Sequence, residues 1–358
     1  MCNSETHSNA VDVLKKGGIF NPLRLFPLIR KQISFFELNL SGCTVLTEAA
    51  SGPYVVTPII ASLAGAERVI AITHNSRFAT VEEVISQTRA LESLCEVKTA
   101  AEIHSEGSLD LFSEADIVTN LGFVRPLDKE TISVMKPTAV IPLMCEAWEI
   151  RPGDVDFEAC NFNGITVMGT NEDFPGLGVF SYSGFLCARM LSESQIEIHK
   201  SNIMVVSSDK FGPVIAGHLS GVGANARHVD SLQNVTPHEL SELDALIIAD
   251  YTREGKIIGE GGDISAEALG SWTGGITVLQ FAGKLDVKEL VDQGICVYPG
   301  IDLGAHRMAQ TLSSLGPRPV IELHTAGLKV GELMLKRQGR LPKSQNDPRY
   351  EALCMPLA

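Results

Sequence analysis

The chain has 358 residues, 44% of them hydrophobic but only 6% aromatic, and a formal net charge of −14. That length is too great for one ordinary domain and suits two, each with a core of Val, Ile, Leu and Ala. The acidic balance argues against nucleic acid or an anionic membrane as the main partner, while a local basic pocket for an anionic substrate stays compatible with it. The eight cysteines are scattered without a C-x-x-C, so reduced thiols in a cytoplasmic protein are expected, with neither a zinc site nor a disulfide frame. No basic start precedes an apolar core, so no signal peptide is expected, and no apolar run reaches membrane length.

Residues 1–10 are polar and read as a loose lead. Leu23, Leu25, Phe26, Leu28, Ile29, Ile33 and Phe36 fall mostly on one helical face, with Pro22 near its start; a packing or docking helix is expected. A first α/β unit begins with the strand Cys43-Thr44-Val45-Leu46. The turn 48–53 leads to a helix ending at Leu63 and Gly65, and Val69-Ile70-Ala71-Ile72 is the next strand. His74-Asn75-Ser76-Arg77 follows at its carboxyl end, where open α/β sheets place ligands. His74 and Glu48 alone do not make a metal site, and none is expected. Thr80 suits the cap of a helix from Val81 to Leu94, with Glu82 and Glu83 in its first turn. Further strands are expected at 96–99, 117–120, 139–144 and 165–168, and an apolar helix at 180–192.

The stretch from Asn202 to Asp230 organises the second half. Ile203-Met204-Val205-Val206 reads as a buried parallel strand. It stops at Ser207-Ser208-Asp209-Lys210-Phe211-Gly212, and Pro213 opens a helix from Val214 to Ser220. A second strand runs from Asn225 to Val229, with Asp230 at its tip. This is the layout of a dinucleotide-binding unit, in which a terminal acid takes the adenosine ribose hydroxyls and disfavours a 2′-phosphate, so NAD is expected over NADP. Ser207 and Asp209 stand where the first two glycines of G-x-G-x-x-G belong, and Gly212 stands at the third. A carboxylate at the second position brings bulk and like charge to a pyrophosphate, although the helix N-terminus still offers amides.

The halves echo each other at an offset near 130, most clearly between 156–167 and 286–297. Two tandem doubly wound α/β domains of Rossmann or flavodoxin type with an interdomain cleft are the simplest account, a chance match being the alternative. The first domain is expected over 1–196, with a returning helix and tail over 325–358, and the nucleotide-type domain over 197–324. Pro319 to Leu323 reads as the last strand, and the tail from Arg337 as an extended arm.

The phrases Gly153-Asp154-Val155-Asp156-Phe157-Glu158-Ala159-Cys160, Gly164-Ile165-Thr166-Val167 and Gly169-Thr170-Asn171, then Ile203 to Asp230, then Ile321-Glu322-Leu323-His324-Thr325-Ala326-Gly327-Leu328, resemble in order the D-isomer-specific 2-hydroxyacid dehydrogenase superfamily. The resemblance spans about residues 110–335. It implies NAD, held by Ser207, Asp209, Lys210, Phe211, Gly212, Asp230 and Ala282, and it implies His324 as catalytic base. The family's arginine position holds Ala282, with Lys284 the nearest cation, and its glutamate position holds Ile301, with Asp302 one step on. The loop that holds the substrate carboxylate in the family is replaced by Met144-Cys145-Glu146-Ala147-Trp148-Glu149, which makes Glu146 and Trp148 candidate substrate contacts. Arg151 and Arg77 are candidate anion binders. The leading expectation is an NAD-dependent oxidoreductase on a small polar metabolite, working as a homodimer. The alternatives are elimination or group transfer in the same cleft, or a ligand-binding protein without catalysis.

Overall fold

A computed structural model of the chain describes residues 2–341 and 349–357, without the side chains of 2–6. The chain divides into two compact units, Met1–Leu177 with Gly316–Ala358, and Gly178–Leu315. The division falls earlier than the sequence suggests at both joins. The helix Val179–Glu193 packs on Phe211–Gly221 and so belongs to unit 2. The helix expected from Thr325 already starts at Arg318 and belongs to unit 1.

Unit 1 is built on six parallel strands: β1 (Thr44–Glu48), β2 (Arg68–Ile72), β3 (Glu102–His104), β4 (Ile117–Val118), β5 (Val140–Pro142) and β6 (Thr166–Thr170). They lie in the order β6-β5-β4-β1-β2-β3, with Val45 paired to Val69 on one side and to Ile117 on the other. The order reverses between β1 and β4. Helices cover the sheet, so its strands are apolar on both faces instead of alternating. Residues 45–48 are all buried. The helix Val81–Cys95 starts in a capping box, Thr80 accepting from the Glu83 amide and Glu83 from the Thr80 amide.

Unit 2 carries β7 (Asn202–Val206), β8 (Asn225–Val229), β9 (Ala245–Ala249), β10 (Lys256–Ile258), β11 (Thr277–Ala282), β12 (Lys284–Leu285) and β13 (Cys296–Tyr298). Its five-stranded parallel sheet has the order β13-β11-β9-β7-β8, and β10 and β12 form a separate parallel pair. The reversal point here lies between β7 and β9. The echoed segments occupy equivalent places: β4, β5 and β6 are neighbours in one sheet as β9, β11 and β13 are in the other. Unit 1 differs by one more parallel strand, β3, at its edge.

Four expectations need correction. Cys2–Lys16 is helical, not a loose lead. No strand forms at 96–99, because Glu96 takes the left-handed conformation that ends the preceding helix; the strand follows at β3. Pro319 to Leu323 is not a strand. It is the first part of the twenty-residue helix Arg318–Arg337; five residues are too few to show a helical period, so the run reads equally well as a strand. The tail is no extended arm where it is described: Arg349–Leu353 is helical, and β14 (Cys354–Met355) pairs antiparallel with β6. Residues 342–348 lie outside the described part.

Candidate functional site

Ligands of doubly wound sheets bind where the strand order reverses, beyond the carboxyl ends of the strands. In unit 2 that point is the meeting of the turn after β7 with the loop after β9, and both are acidic. Asp209, in the turn, accepts from the Ser207 hydroxyl at 2.8 Å, the Phe211 amide at 2.9 Å and the Tyr251 amide at 2.7 Å. Asp250, fully buried just after β9, accepts from the Ser208 amide at 2.9 Å, the Ser208 hydroxyl at 2.8 Å and the Arg253 amide at 3.1 Å. Burial raises the Asp209 carboxyl above its ordinary range, with the nearby Asp250 adding to it, while these donors pull the other way. The turn therefore has the shape of a nucleotide-binding turn, with the chain's own carboxylates bonded to its amides.

Gly212 is small for a reason of packing. A Cβ there would lie 2.4 Å from the ring of His228 and 2.8 Å from Cβ of Ser207. This close approach of helix to strand is what the third glycine of such turns permits. His228 in turn bonds the Ser207 carbonyl at 2.7 Å. Phe211 is buried against Phe180 and Phe281 at 5.5 and 5.3 Å between ring centroids. Lys210 lies 5.0 Å over the Phe180 ring. Asp230, at the tip of β8, keeps 84% of its side chain exposed, 3.6 Å from His228. Ala282 is buried at the end of β11, where it bridges to Met308; Lys284 is half-buried in β12 and Asp302 is exposed.

A histidine–carboxylate pair that the sequence did not reveal stands in this unit. His306 Nε2 is 2.9 Å from Glu254, its ring meets that of Tyr251 edge-on at 5.6 Å, and its amide donates to the Tyr251 carbonyl. Its Nδ1 is buried with no partner among the described residues, and its backbone is left-handed at φ 54°. Asp250 and Glu254 leave one local signal in the sequence: the loop Asp250 to Glu254 directly follows the apolar strand β9. Nothing local marks His306.

The remaining candidates lie in unit 1. His324 is only 3% exposed in the middle of the helix Arg318–Arg337; its Nδ1 is 2.6 Å from the Thr57 hydroxyl. Burial pushes its pKa down to about 3, so the ring is neutral. It is no strand-end base, because the strand it was to follow is helix. Glu146 is fully buried; it accepts from the Glu172 amide at 3.1 Å and from the Trp148 indole. Here too a carboxylate of the chain takes the loop's donors. At the reversal point of unit 1, Glu48 does the same for the Phe123 amide at 3.1 Å, and burial raises its carboxyl above the usual range. Arg151 bonds Asp154 at 3.1 Å, and Arg77 is exposed over the Phe78 ring. Among the described residues no His, Cys, Asp and Glu cluster suits a metal ion, and no helix is long and apolar enough to cross a membrane.

No family model matches the sequence, and no curated protein matches it. Solved structures do. The chain is similar to the pyruvate reductase of Chlamydomonas reinhardtii, at 11% identity over 83% of this chain and 98% of that one, with a TM-score of 0.51. It is also similar to a dipicolinate synthase polypeptide of Bacillus halodurans, at 12% identity over 84% and 98%, with a TM-score of 0.49. A third likeness is to the NAD-dependent formate dehydrogenase of Staphylococcus aureus in complex with NAD, at 13% identity over 84% and 97%, with a TM-score of 0.41. At such identities the likeness is one of fold, and the first of the three carries it. The fold shared with that reductase is one of two α/β units, each built on a parallel sheet.

Proposed function

We propose that this protein handles a small polar metabolite by proton chemistry, with no pyridine dinucleotide at the turn 207–212. The observation that carries the reading is the capping of that turn: the Ser208 and Phe211 amides are bonded to Asp250 and Asp209. A pyrophosphate would arrive as a dianion beside two carboxylates. At a separation of about 5 Å and an effective dielectric of about 20, each opposed unit charge costs roughly 3 kcal/mol. The His306–Glu254 pair supports the chemistry, since an imidazole oriented by a carboxylate serves as a general acid or base. Calorimetric titration with NADH and NADPH tests the reading, and no binding to the wild type is expected. Mass spectrometry of the small molecules that co-purify with the protein identifies the ligand class.

The second reading is an NAD-dependent oxidoreductase on such a metabolite. It is favoured by Asp230, which is exposed at the place of the ribose-binding acid. Micromolar NADH binding to the wild type would establish it over the first.

A further inference from the structure

The turn Gly259-Glu260-Gly261-Gly262 follows β10 and folds tightly back on it. The Gly262 amide donates to the Gly259 carbonyl at 3.0 Å, and the Asp263 amide to the Ile257 carbonyl at 2.9 Å. A Cβ on Gly262 would lie 2.7 Å from the same Ile257 oxygen, so glycine is what lets the chain pass this close to the strand. The turn delivers Asp263, whose side chain is closed off from solvent. Its carboxylate joins two loops at the carboxyl edge of the sheet. From the loop after β8 it accepts from the Ser231 hydroxyl at 2.7 Å, the Leu232 amide at 3.0 Å and the Gln233 side-chain amide at 3.2 Å. From the loop after β9 it takes the Arg253 guanidinium in a two-pronged pair, one prong at 2.9 Å, a geometry that fixes direction as well as distance. Burial works to raise the Asp263 carboxyl, but Arg253, Ser231 and Leu232 outweigh it and lower it to about 2, so the group is ionised at neutral pH.

The residues beside these donors are the acids of two histidine–carboxylate pairs. Asp230, next to Ser231, lies 3.6 Å from His228, and Glu254, next to Arg253, lies 2.9 Å from His306. Both acids are largely exposed, and neither has another hydrogen-bond or ion-pair partner among the described residues. Their places are therefore set by the backbone that carries them. Asp263 holds that backbone one residue away on each side.

We propose that Asp263 is a positioning residue for both pairs: it fixes Asp230 and Glu254, and through them the imidazoles of His228 and His306, in one frame. The role rests on the reading that this edge meets the ligand, through His306 in the first reading and through Asp230 in the second. It adds the buried group that ties the two sides together.

The test is the nuclear magnetic resonance spectrum of the histidine rings in the full chain, isotope-labelled at histidine and held at constant pH. Asp263→Asn keeps an oxygen for Ser231 and Leu232 but removes the ion pair with Arg253. The His306 signals should shift while those of His228 stay. Asp263→Ala releases both loops, so both sets should shift. Arg253→Met breaks the same link at a side chain that is 25% exposed. It should reproduce the shift of Asp263→Asn, and these two variants decide the matter if Asp263→Ala does not fold. Unmoved signals of His324, in unit 1, show that the fold is kept. A residue that only staples the turn would lower the melting temperature and leave His228 and His306 unmoved, and that result overturns the proposal. So does a shift of His228 without His306 in Arg253→Met. No ligand enters this experiment, so its failure is separate from a failure of calorimetry to support either functional reading.

Discussion

The Tyr251 amide donates to the Asp209 carboxylate at 2.7 Å, and this one bond ties the turn after β7 to the loop after β9. Asp209→Gly removes it together with the acceptor for Phe211 and Ser207. Stability should fall by about 1–3 kcal/mol, the scale of buried donors left unpaired. The same change clears the charge and bulk that oppose a pyrophosphate, so NADH binding should appear, and more strongly at low salt. Thermal melting and calorimetry read the two effects. If neither moves, the carboxylate is not what closes the turn.

The contact of Gly212 with His228 gives a second test, independent of any ligand. Gly212→Ala forces its new methyl into the imidazole, at a cost of roughly 1–3 kcal/mol for an overpacked contact. His228→Ala alone loses the bond to the Ser207 carbonyl. In the double variant the imidazole no longer opposes the methyl and only Cβ of Ser207, at 2.8 Å, still does, so the combined loss should be less than the sum of the two in denaturant titrations. Simple additivity would mean that the helix shifts to admit the methyl.

His324 should make stability depend on pH in one direction. Its folded pKa, about 3, lies below the ordinary imidazole value of 6.5. The unfolded chain therefore takes up a proton that the folded chain refuses as pH falls below that value, and stability drops until the folded pKa is reached. By pH 4 the loss should be about 3 kcal/mol relative to pH 7. His324→Gln should flatten that part of the profile in urea titrations between pH 7 and pH 4. A wild type and variant with parallel profiles would place the acid sensitivity elsewhere.

Asp230 separates the two functional readings. If NADH binds the wild type, Asp230→Ala should weaken it by about 1–3 kcal/mol, the scale of a lost charge-assisted hydrogen bond. Its side chain is largely in solvent, so the substitution should leave the melting temperature unchanged. An equal affinity in the variant would show that a dinucleotide binds without this acid.

Local chemistry made much of the fold legible in the sequence. Thr80 with Glu83, the apolar run 203–206 and the strand 225–229 are each signalled within a few residues, and each forms the element it suggests. Only the start of the helix Arg318–Arg337 was misread: its part from Thr325 was expected as helix, whereas Pro319 to Leu323 is too short a run to tell helix from strand. The partners of the turn were hidden for a different reason. Asp250 meets Ser208 across 42 residues, and His306 meets Glu254 across 52, through strand pairings that no local pattern encodes. A carboxylate in the place of a glycine stood out at once, whereas the donors that hold it became visible only in three dimensions.

The pairing of β14 with β6 has a consequence for handling the protein. β6 ends the parallel run of its sheet, and without β14 its outer side would present unpaired backbone groups. Cys354 and Met355 cover Thr170 and Gly169, and the Asn171 amide bonds the Leu353 carbonyl. A chain truncated before residue 349 would retain every parallel strand of the sheet yet expose a bare edge, ready to pair with the same edge of another molecule. Its characteristic failure would be precipitation on concentration.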